Sequence, residues 1–479
     1  LAVIAAVSVG LRLPFLSVPL ITDEGGYAYI AHWMMRGLAL YRDLWFDRPQ
    51  GIFLVYGAQM ALLGESTEAI RLGAALYNAA TGLLLYGLTA SLAGPLAGVA
   101  AAGLFAVSSA APAIEGFTAN GELYMNLLVV AALWLATSQR WFLAGVLLSL
   151  AVAVKPTSLL GVGLALPFLA IWGESWGRTS LLAIARRGAL GMCGVALAAL
   201  PFIAHGVSTD PQVYWYSLVG FRVQAHSAFS AGPALLGDLG QTAPTVLAAL
   251  LPLWLLTAAG ACLTWRTRTG AVGLAFLVGS GAGAAAGGHW FWHYYVGLMP
   301  PAALLGGVAI QRLLEGKHTL GRRSLHWVLG VGALATLVAV GFNARLVGIA
   351  PGETSWRIYR RPAYLASSEI AAYIRGQTTE SETVYAAFAQ ADLYHLSGRR
   401  SAGRHLYWTE INRVPDALEE VLATLDDPIR RPAYVIRIDD ELEAPGRAAP
   451  FWERVGRFYV PEHAVQGFTI YRARETAPK

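Results

Sequence analysis

Two adjacent carboxylates, Asp23 and Glu24, follow directly on the first apolar stretch of the chain, in Leu20-Ile21-Thr22-Asp23-Glu24-Gly25-Gly26-Tyr27. A second charged group, Tyr41-Arg42-Asp43-Leu44-Trp45-Phe46-Asp47-Arg48-Pro49, closes the same segment before the chain turns apolar again. Acids placed where an apolar run ends can take up a proton or hold a cation, and arginines beside them can hold a phosphate. Thr22 or Asp23 would equally cap a helix over 25–37, with the acids favoured by its dipole. That role does not exclude chemistry. Arg48 reads either as a phosphate ligand or as a side chain snorkelling to a lipid surface, and Pro49 would set the start of a helix over 51–64.

Further along, Ala119-Asn120-Gly121-Glu122-Leu123-Tyr124-Met125-Asn126 opens an apolar run. Glu122 there is either a partner of the helix dipole or part of a polar cavity. Lys155, in Ala153-Val154-Lys155-Pro156-Thr157-Ser158, lies in a tight turn between two apolar runs. A charge at such a depth is costly and usually functional, though a loop lysine can also snorkel. Arg12, inside the first apolar stretch, falls under the same argument. The aromatic cluster His289-Trp290-Phe291-Trp292-His293-Tyr294-Tyr295 resembles an interfacial anchor. Its two histidines have no third ligand near them in sequence, so no metal site is assigned. Cys193 and Cys262 fall inside apolar runs and read as small buried hydrophobes.

The elements that must carry these groups are membrane helices. The 479 residues are 56% hydrophobic and 14% charged, with mean hydropathy +0.49, against about 25% charged in an ordinary soluble domain. Net charge is +5, but the arginines are scattered among short loops, a pattern of topology rather than of nucleic-acid binding. Runs of about 20 apolar residues can span a bilayer. They occur near 1–20, 67–92, 94–111, 122–138, 141–155, 156–173, 188–206, 241–264, 270–288, 293–313 and 325–348, about eleven spans. No small-residue cleavage site follows residues 1–20, so they are read as a span rather than a signal peptide. Basic residues (Arg140; Arg178, Arg186 and Arg187; Arg266 and Arg268; Arg312, Lys317, Arg322 and Arg323) fall in every second loop, which predicts that those loops are cytoplasmic. Segments 21–66, 112–121, 207–240 and 289–292 are then external, with the N-terminus cytoplasmic.

From 351 to 479 the apolar runs shorten to strand length, as in Thr383–Phe388, Ala433–Ile438 and Phe468–Arg472, with helix-like segments near 363–375 and 414–425. The expected fold is therefore a polytopic α-helical membrane domain over 1–350, whose first external loop is 21–66, followed by a small external α/β domain over 351–479.

The acidic pair, Tyr-Arg-Asp-Leu-Trp…Arg-Pro-Gln-Gly, Asn-Gly-Glu-Leu-Tyr-Met-Asn, Lys-Pro-Thr and His-Tyr-Tyr…Pro-Pro resemble, in order and spacing, the GT-C superfamily of membrane glycosyltransferases. Similarity is greatest to its dolichyl-phosphate-mannose-protein mannosyltransferase-like and lipid A aminoarabinose transferase-like branch, over residues 1 to about 350. The resemblance implies inverting transfer of a monosaccharide from a polyprenyl-phosphate donor to a protein, lipid or glycan acceptor on the external face of the cell (inner or plasma) membrane. By position it makes Asp23 the general base, with Glu24 beside it. Arg48 stands where the family has a lysine before proline, which keeps the charge and adds a bidentate fork. Arg48, Lys155 and Arg12 would hold the donor phosphate, and Tyr27, Asp43, Asp47, Asn120, Glu122, His293, Tyr294 and Tyr295 would wall the substrate cavity. No cofactor is assigned, with a divalent cation left open because the family does not uniformly need one. Rival readings are a polytopic transporter, which predicts an internal repeat that is not found, a polymerase or ligase using a lipid-diphosphate-linked glycan, and a non-enzymatic scaffold.

Overall fold

The computed structural model describes residues 1–171, 180–228, 231–315, 341, 345–346, 348–438 and 445–474. The first apolar stretch is not a single span. Helix α1 (Ala2–Gly10) ends at Leu11, and a 3-10 turn over Leu13–Phe15 follows. The cause is Arg12, which folds inward to donate to the carbonyls of Ser8, Ser109 and Gly116. Helix α2 (Thr22–Met35) then begins earlier than expected: Ile21 is the N-cap, and Glu24 reaches back to accept from the Ile21 amide at 3.1 Å. Helix α3 (Gly51–Leu63) matches the short helix anticipated over 51–64.

A bundle follows. Helices α4 (Thr67–Ala93), α5 (Pro95–Ser108), α6 (Gly121–Thr137), α7 (Trp141–Val154) and α8 (Ser158–Ile171) follow one another, all by short connections except the longer segment 109–120 between α5 and α6, with α4 packed on α5 and α6 and α6 on α7. Helix α9 (Leu181–Thr209) lies close against α7 because glycines meet at the crossing. A Cβ at Gly145 would stand 1.9 Å from the carbonyl oxygen of Gly191. Segment 207–240, expected as a loop, is largely helical: α10 (Pro211–Trp215), a π-helical turn over Tyr216–Gly220, α11 (Phe221–Ala228), and α12 (Ala231–Ala249). The expected single span over 241–264 is broken, since α12 meets α13 (Leu251–Thr264) at 88°. Pro252, with no N–H to donate, suits the first turn of a new helix and not the interior of an old one. Helix α14 (Arg268–Ala285), a 3-10 segment (Trp292–Leu298) and α15 (Met299–Glu315) complete the bundle.

Two described helices have the length and apolarity to cross a bilayer, Leu181–Thr209 and Trp292–Glu315, with the bent α12–α13 pair as a third if it is one span. Six more apolar helices are only 10–17 residues long, below the roughly 20 that a span needs. Eleven full-length spans are therefore more than the described helices supply. Nearly all of the expected last span, 325–348, lies outside the described residues, as do Arg178, Lys317, Arg322 and Arg323. Leu181, Leu182, Met192, Leu197 and Leu200 all project outward from α9, the pattern of a lipid-facing surface. Cys193 and Cys262 are exposed rather than buried among the described residues.

Residues 383–473 form a five-stranded sheet of order β2-β1-β3-β5-β4, from β1 (Thr383–Ala386), β2 (Arg400–Ser401), β3 (Tyr434–Arg437), β4 (Tyr459–Val465) and β5 (Phe468–Ala473). Strands β2, β1 and β3 are parallel, while β3–β5 and β5–β4 are antiparallel. Helices Pro362–Gln377 and Ala417–Asp426 flank it, close to the bounds read from the sequence. This sheet unit docks on α2. The Ala391 amide donates to Thr22 Oγ1 at 3.1 Å, the Tyr407 hydroxyl to the Thr22 carbonyl at 3.1 Å, and the Ser401 amide to the Tyr29 hydroxyl at 2.9 Å. The approach requires glycine. A Cβ on Gly25 would lie 2.1 Å from Asp392 Cα, and one on Gly26 2.1 Å from the Tyr407 hydroxyl. One hydrophobic cluster runs from the bundle through this seam, including Tyr29, Ile30, Tyr394 and Ile436.

Candidate active site

Asp23 and Glu24 are successive residues of one helix, about 100° apart around its axis, and the structure gives them different surroundings. Glu24 is fully buried. It accepts from Arg71 Nη2 at 2.6 Å, from the Ala119 amide at 2.7 Å and from the Ile21 amide. It thus ties the start of α2 to α4 and to the segment leading into α6, and it lines neither chamber described below. Asp23 is half-buried and faces a chamber of about 500 Å³. Tyr27, one turn on and on the same face, lines that chamber too and packs on Phe46, Phe53 and Tyr56.

The segment between α2 and α3 supplies the next wall. Trp45 is buried and its amide donates to the Arg404 carbonyl at 3.1 Å, which fixes the segment to the sheet unit. Tyr41 is also buried, and its hydroxyl donates to the Arg48 carbonyl at 3.0 Å. Asp47 and Arg48 consequently face inward and line both this chamber and an adjoining one of about 280 Å³. Glu122, in the first turn of α6, forms an ion pair with Lys155, the C-cap residue of α7. The lysine Nζ also sits 4.5 Å from the Tyr294 ring centroid. Glu122, Lys155, Tyr294, Asp47, Arg48 and Arg222 wall both chambers and so mark where the two join. Beyond these the second chamber is uncharged, with Met125, Val129, Leu218 and Phe276 in its walls beside Asn126, Thr157, Ser158 and Ser280.

Of the residues singled out from the sequence, Asp23, Tyr27, Asp47, Arg48, Glu122, Lys155, His293 and Tyr294 come together here. Five do not line these chambers. Glu24 is committed to Arg71. Arg12 has spent its guanidinium on main-chain carbonyls, so it is a structural crosslink rather than a phosphate ligand. Asp43 accepts from the Ala39 amide at 2.9 Å and pairs with Arg42. Asn120 is the N-cap of α6 and donates to Thr118 Oγ1 at 2.9 Å. The Tyr295 hydroxyl meets Thr242 Oγ1 at 3.1 Å.

The sequence reading missed other wall residues. Arg222, which follows the π-helical turn, pairs with Asp47. Asp238 accepts from the Trp290 amide at 2.9 Å and lies 3.0 Å from His289 Nδ1. His293, already singled out from the sequence, stands 3.4 Å from Glu115, which lies outside the chamber walls. Tyr407, Glu410 and Arg413 reach the chamber from the sheet unit. Burial, helped by the charge on Asp47, raises the Glu410 carboxyl well above the usual range, against the opposing amides of Leu406 and Tyr407. No motif announced these residues, although an arginine in a largely uncharged stretch was a signal for Arg222. Among the described residues no group of three or more His, Cys, Asp or Glu is placed to hold a metal ion.

Residues 47–205 match the family model described as dolichyl-phosphate-mannose-protein mannosyltransferase. No curated protein matches the chain. Among solved structures, ArnT from Cupriavidus metallidurans bound to undecaprenyl phosphate is similar with a TM-score of 0.69 at 15% identity, over 98% of this chain and 97% of that one. Oligosaccharyltransferase AglB from Archaeoglobus fulgidus, in complex with an inhibitory peptide and a dolichol-phosphate, is similar with a TM-score of 0.53 at 13% identity, over 99% of this chain and 74% of that one.

Proposed function

From the fold shared with these structures and the match of residues 47–205, we propose that the chain is a GT-C-type glycosyltransferase that transfers a monosaccharide from a polyprenyl-phosphate donor to an acceptor hydroxyl on the external face of the membrane. The observation that carries this reading is the junction of a charged chamber with an uncharged, more apolar one at Arg48, Lys155 and Arg222. A lipid phosphate has the same division: its tail suits walls such as Met125, Val129 and Phe276, and its phosphate suits the cations. A water-soluble nucleotide sugar needs no apolar chamber.

In the reaction Asp23 takes the proton of the acceptor hydroxyl. The oxygen attacks the anomeric carbon, the bond from that carbon to the phosphate oxygen breaks, and the electron pair leaves with the polyprenyl phosphate. Attack from the face opposite the leaving group inverts the configuration. Arg48, Lys155 and Arg222 offset the charge that develops on the departing phosphate, and Asp47 and Glu122 hold those cations before the donor arrives. Tyr294 confines Lys155, while Tyr27 packs the base helix. Residues 351–479 are assigned as the external domain, whose Tyr407 and Glu410 roof the acceptor side of the chamber.

The experiment is transfer from a polyprenyl-phosphate sugar in detergent, with donor binding measured separately. Asp23→Asn keeps the size of the side chain but cannot accept a proton, and loss of a general base lowers turnover by about 10²–10⁴-fold. Donor binding should remain near wild type. Wild-type turnover in Asp23→Asn would remove Asp23 as the base.

A further inference from the structure

A second large cavity, of about 820 Å³, lies between the sheet unit and the segment joining α2 to α3. Its size is that of a small-ligand site, roughly 300–1,000 Å³. We propose that it binds a saccharide chain carrying phosphate or carboxylate groups, as the acceptor of the transfer; this rests on the glycosyltransferase reading above.

Charge is the first argument. Arg42 comes from the α2–α3 segment, Arg400 and Arg404 from β2 and the residues after it, Arg430 and Arg431 from the approach to β3, and Arg472 and Arg474 from the end of β5. Against these seven arginines the walls hold two carboxylates, Asp43 and Glu382, an excess of five positive charges. Glu420, Asp427 and Glu462 pair with Arg404, Arg430 and Arg472 from outside the walls, which still leaves an excess of two. Such pairs orient a guanidinium without exhausting it. Each group has five N–H donors, and Arg430 spends only its Nε on Asp427.

Wall chemistry narrows the ligand. Tyr29 and Tyr434, the aromatic residues of the lining, are both buried, so the cavity offers no stacking platform of the kind that single-stranded nucleic acids use. Hydroxyls of Ser381, Thr383, Ser401 and Thr424 and the small residues Ala402 and Gly403 make up much of the rest. Forked donors among hydroxyls suit an anionic saccharide.

Position ties the cavity to the reaction. Arg42 and Asp43 project into it from a tight loop closed by a Leu40–Leu44 bridge. Tyr41 between them has φ +80°, a strained conformation for a residue with a side chain. That conformation turns Tyr41 inward onto the Arg48 carbonyl while Arg42 points outward. One short loop thus contacts both the basic cavity and a wall of the reaction chamber. An acceptor held at Arg42 would load the loop that positions Arg48.

The test uses the full chain in detergent and measures Kd for a galacturonic acid hexamer, with uncharged maltohexaose, inorganic pyrophosphate and vesicles of anionic phospholipid as parallel arms. Wild type should bind the galacturonate at least about tenfold more tightly than maltohexaose, and the preference should shrink in high salt. Arg400→Glu with Arg430→Glu should weaken that binding by about tenfold or more, while polyprenyl-phosphate binding in the same sample reports on the fold and on the donor site. Pyrophosphate that competes with the galacturonate supports an anion site shared by phosphate-bearing chains. Equal binding of charged and neutral hexamers, or an unchanged Kd in the double variant, would overturn the proposal, as would binding to vesicles without binding to the hexamer. A wild-type chain that binds the galacturonate but no polyprenyl phosphate would instead count against the glycosyltransferase reading.

Discussion

At the scale of single residues, adjacent carboxylates have separable fates. Glu24 is sealed beside Arg71, and breaking a buried pair by removing one partner costs about 3–5 kcal/mol. Glu24→Ala should therefore lower Tm and yield sharply, because Arg71 is left as an uncompensated buried charge. Asp23→Asn should fold normally and lose turnover, so the two variants part on thermal unfolding. Arg48→Ala and Lys155→Ala should form a third class: if both hold the leaving phosphate, each weakens donor binding as well as turnover. Lys155→Ala has a second consequence, since it strands Glu122 in a buried position. Lys155→Ala combined with Glu122→Gln should recover part of the lost Tm and none of the lost donor affinity. A double variant that regained donor binding would show Lys155 to be structural only.

At the scale of elements, the docking of the sheet unit on α2 governs how the acid-bearing helix is held. Gly25→Ala places a Cβ against the backbone of Asp392. Overpacking of that kind costs about 1–3 kcal/mol, and it should raise the rate of proteolysis at the sheet unit. Gly26→Ala clashes with the tip of Tyr407, with the Ala391 Cβ at ordinary contact distance, and should be milder, at the expense of the Tyr407–Thr22 hydrogen bond. The same seam predicts a pH dependence. Burial pushes the Asp392 carboxyl up to about 7, only partly offset by Ser367 and by amides of its own helix. A carboxyl whose folded pKa is raised prefers its proton in the folded state. Its contribution to stability is complete below the ordinary carboxylate range and is lost as pH rises through 7, up to about 4 kcal/mol in the limit. Asp392→Asn should flatten the pH dependence of Tm between pH 5 and 8 and raise Tm at pH 8. An unchanged slope would remove Asp392 as its source.

At the scale of the whole molecule, topology is the decisive quantity. With Cys193 and Cys262 replaced, a cysteine at the exposed Ile429 should react with a membrane-impermeant reagent in intact cells, because the basic loops predict an external sheet unit. Labelling only after lysis would place the sheet unit in the cytoplasm and the proposed reaction on the wrong face.

Composition and local pattern by themselves determined that the chain is helical and apolar, that strands occur near its C-terminal end, and where α3, α6 and the helix Pro362–Gln377 lie. Those properties depend on neighbours in sequence: the density of apolar residues, the caps, and the alternation of strand residues. The tertiary structure alone decided the rest. It separated Asp23 from Glu24 by what stands on either side of α2, and it turned Arg12 into a crosslink because the carbonyls of two distant residues, Ser109 and Gly116, converge on it beside that of Ser8. It brought Arg222, Tyr407 and Glu410 to the chamber from segments without a motif. Whether a charged side chain serves chemistry or structure depends on which partners reach it, and here those partners lie up to hundreds of residues away along the chain.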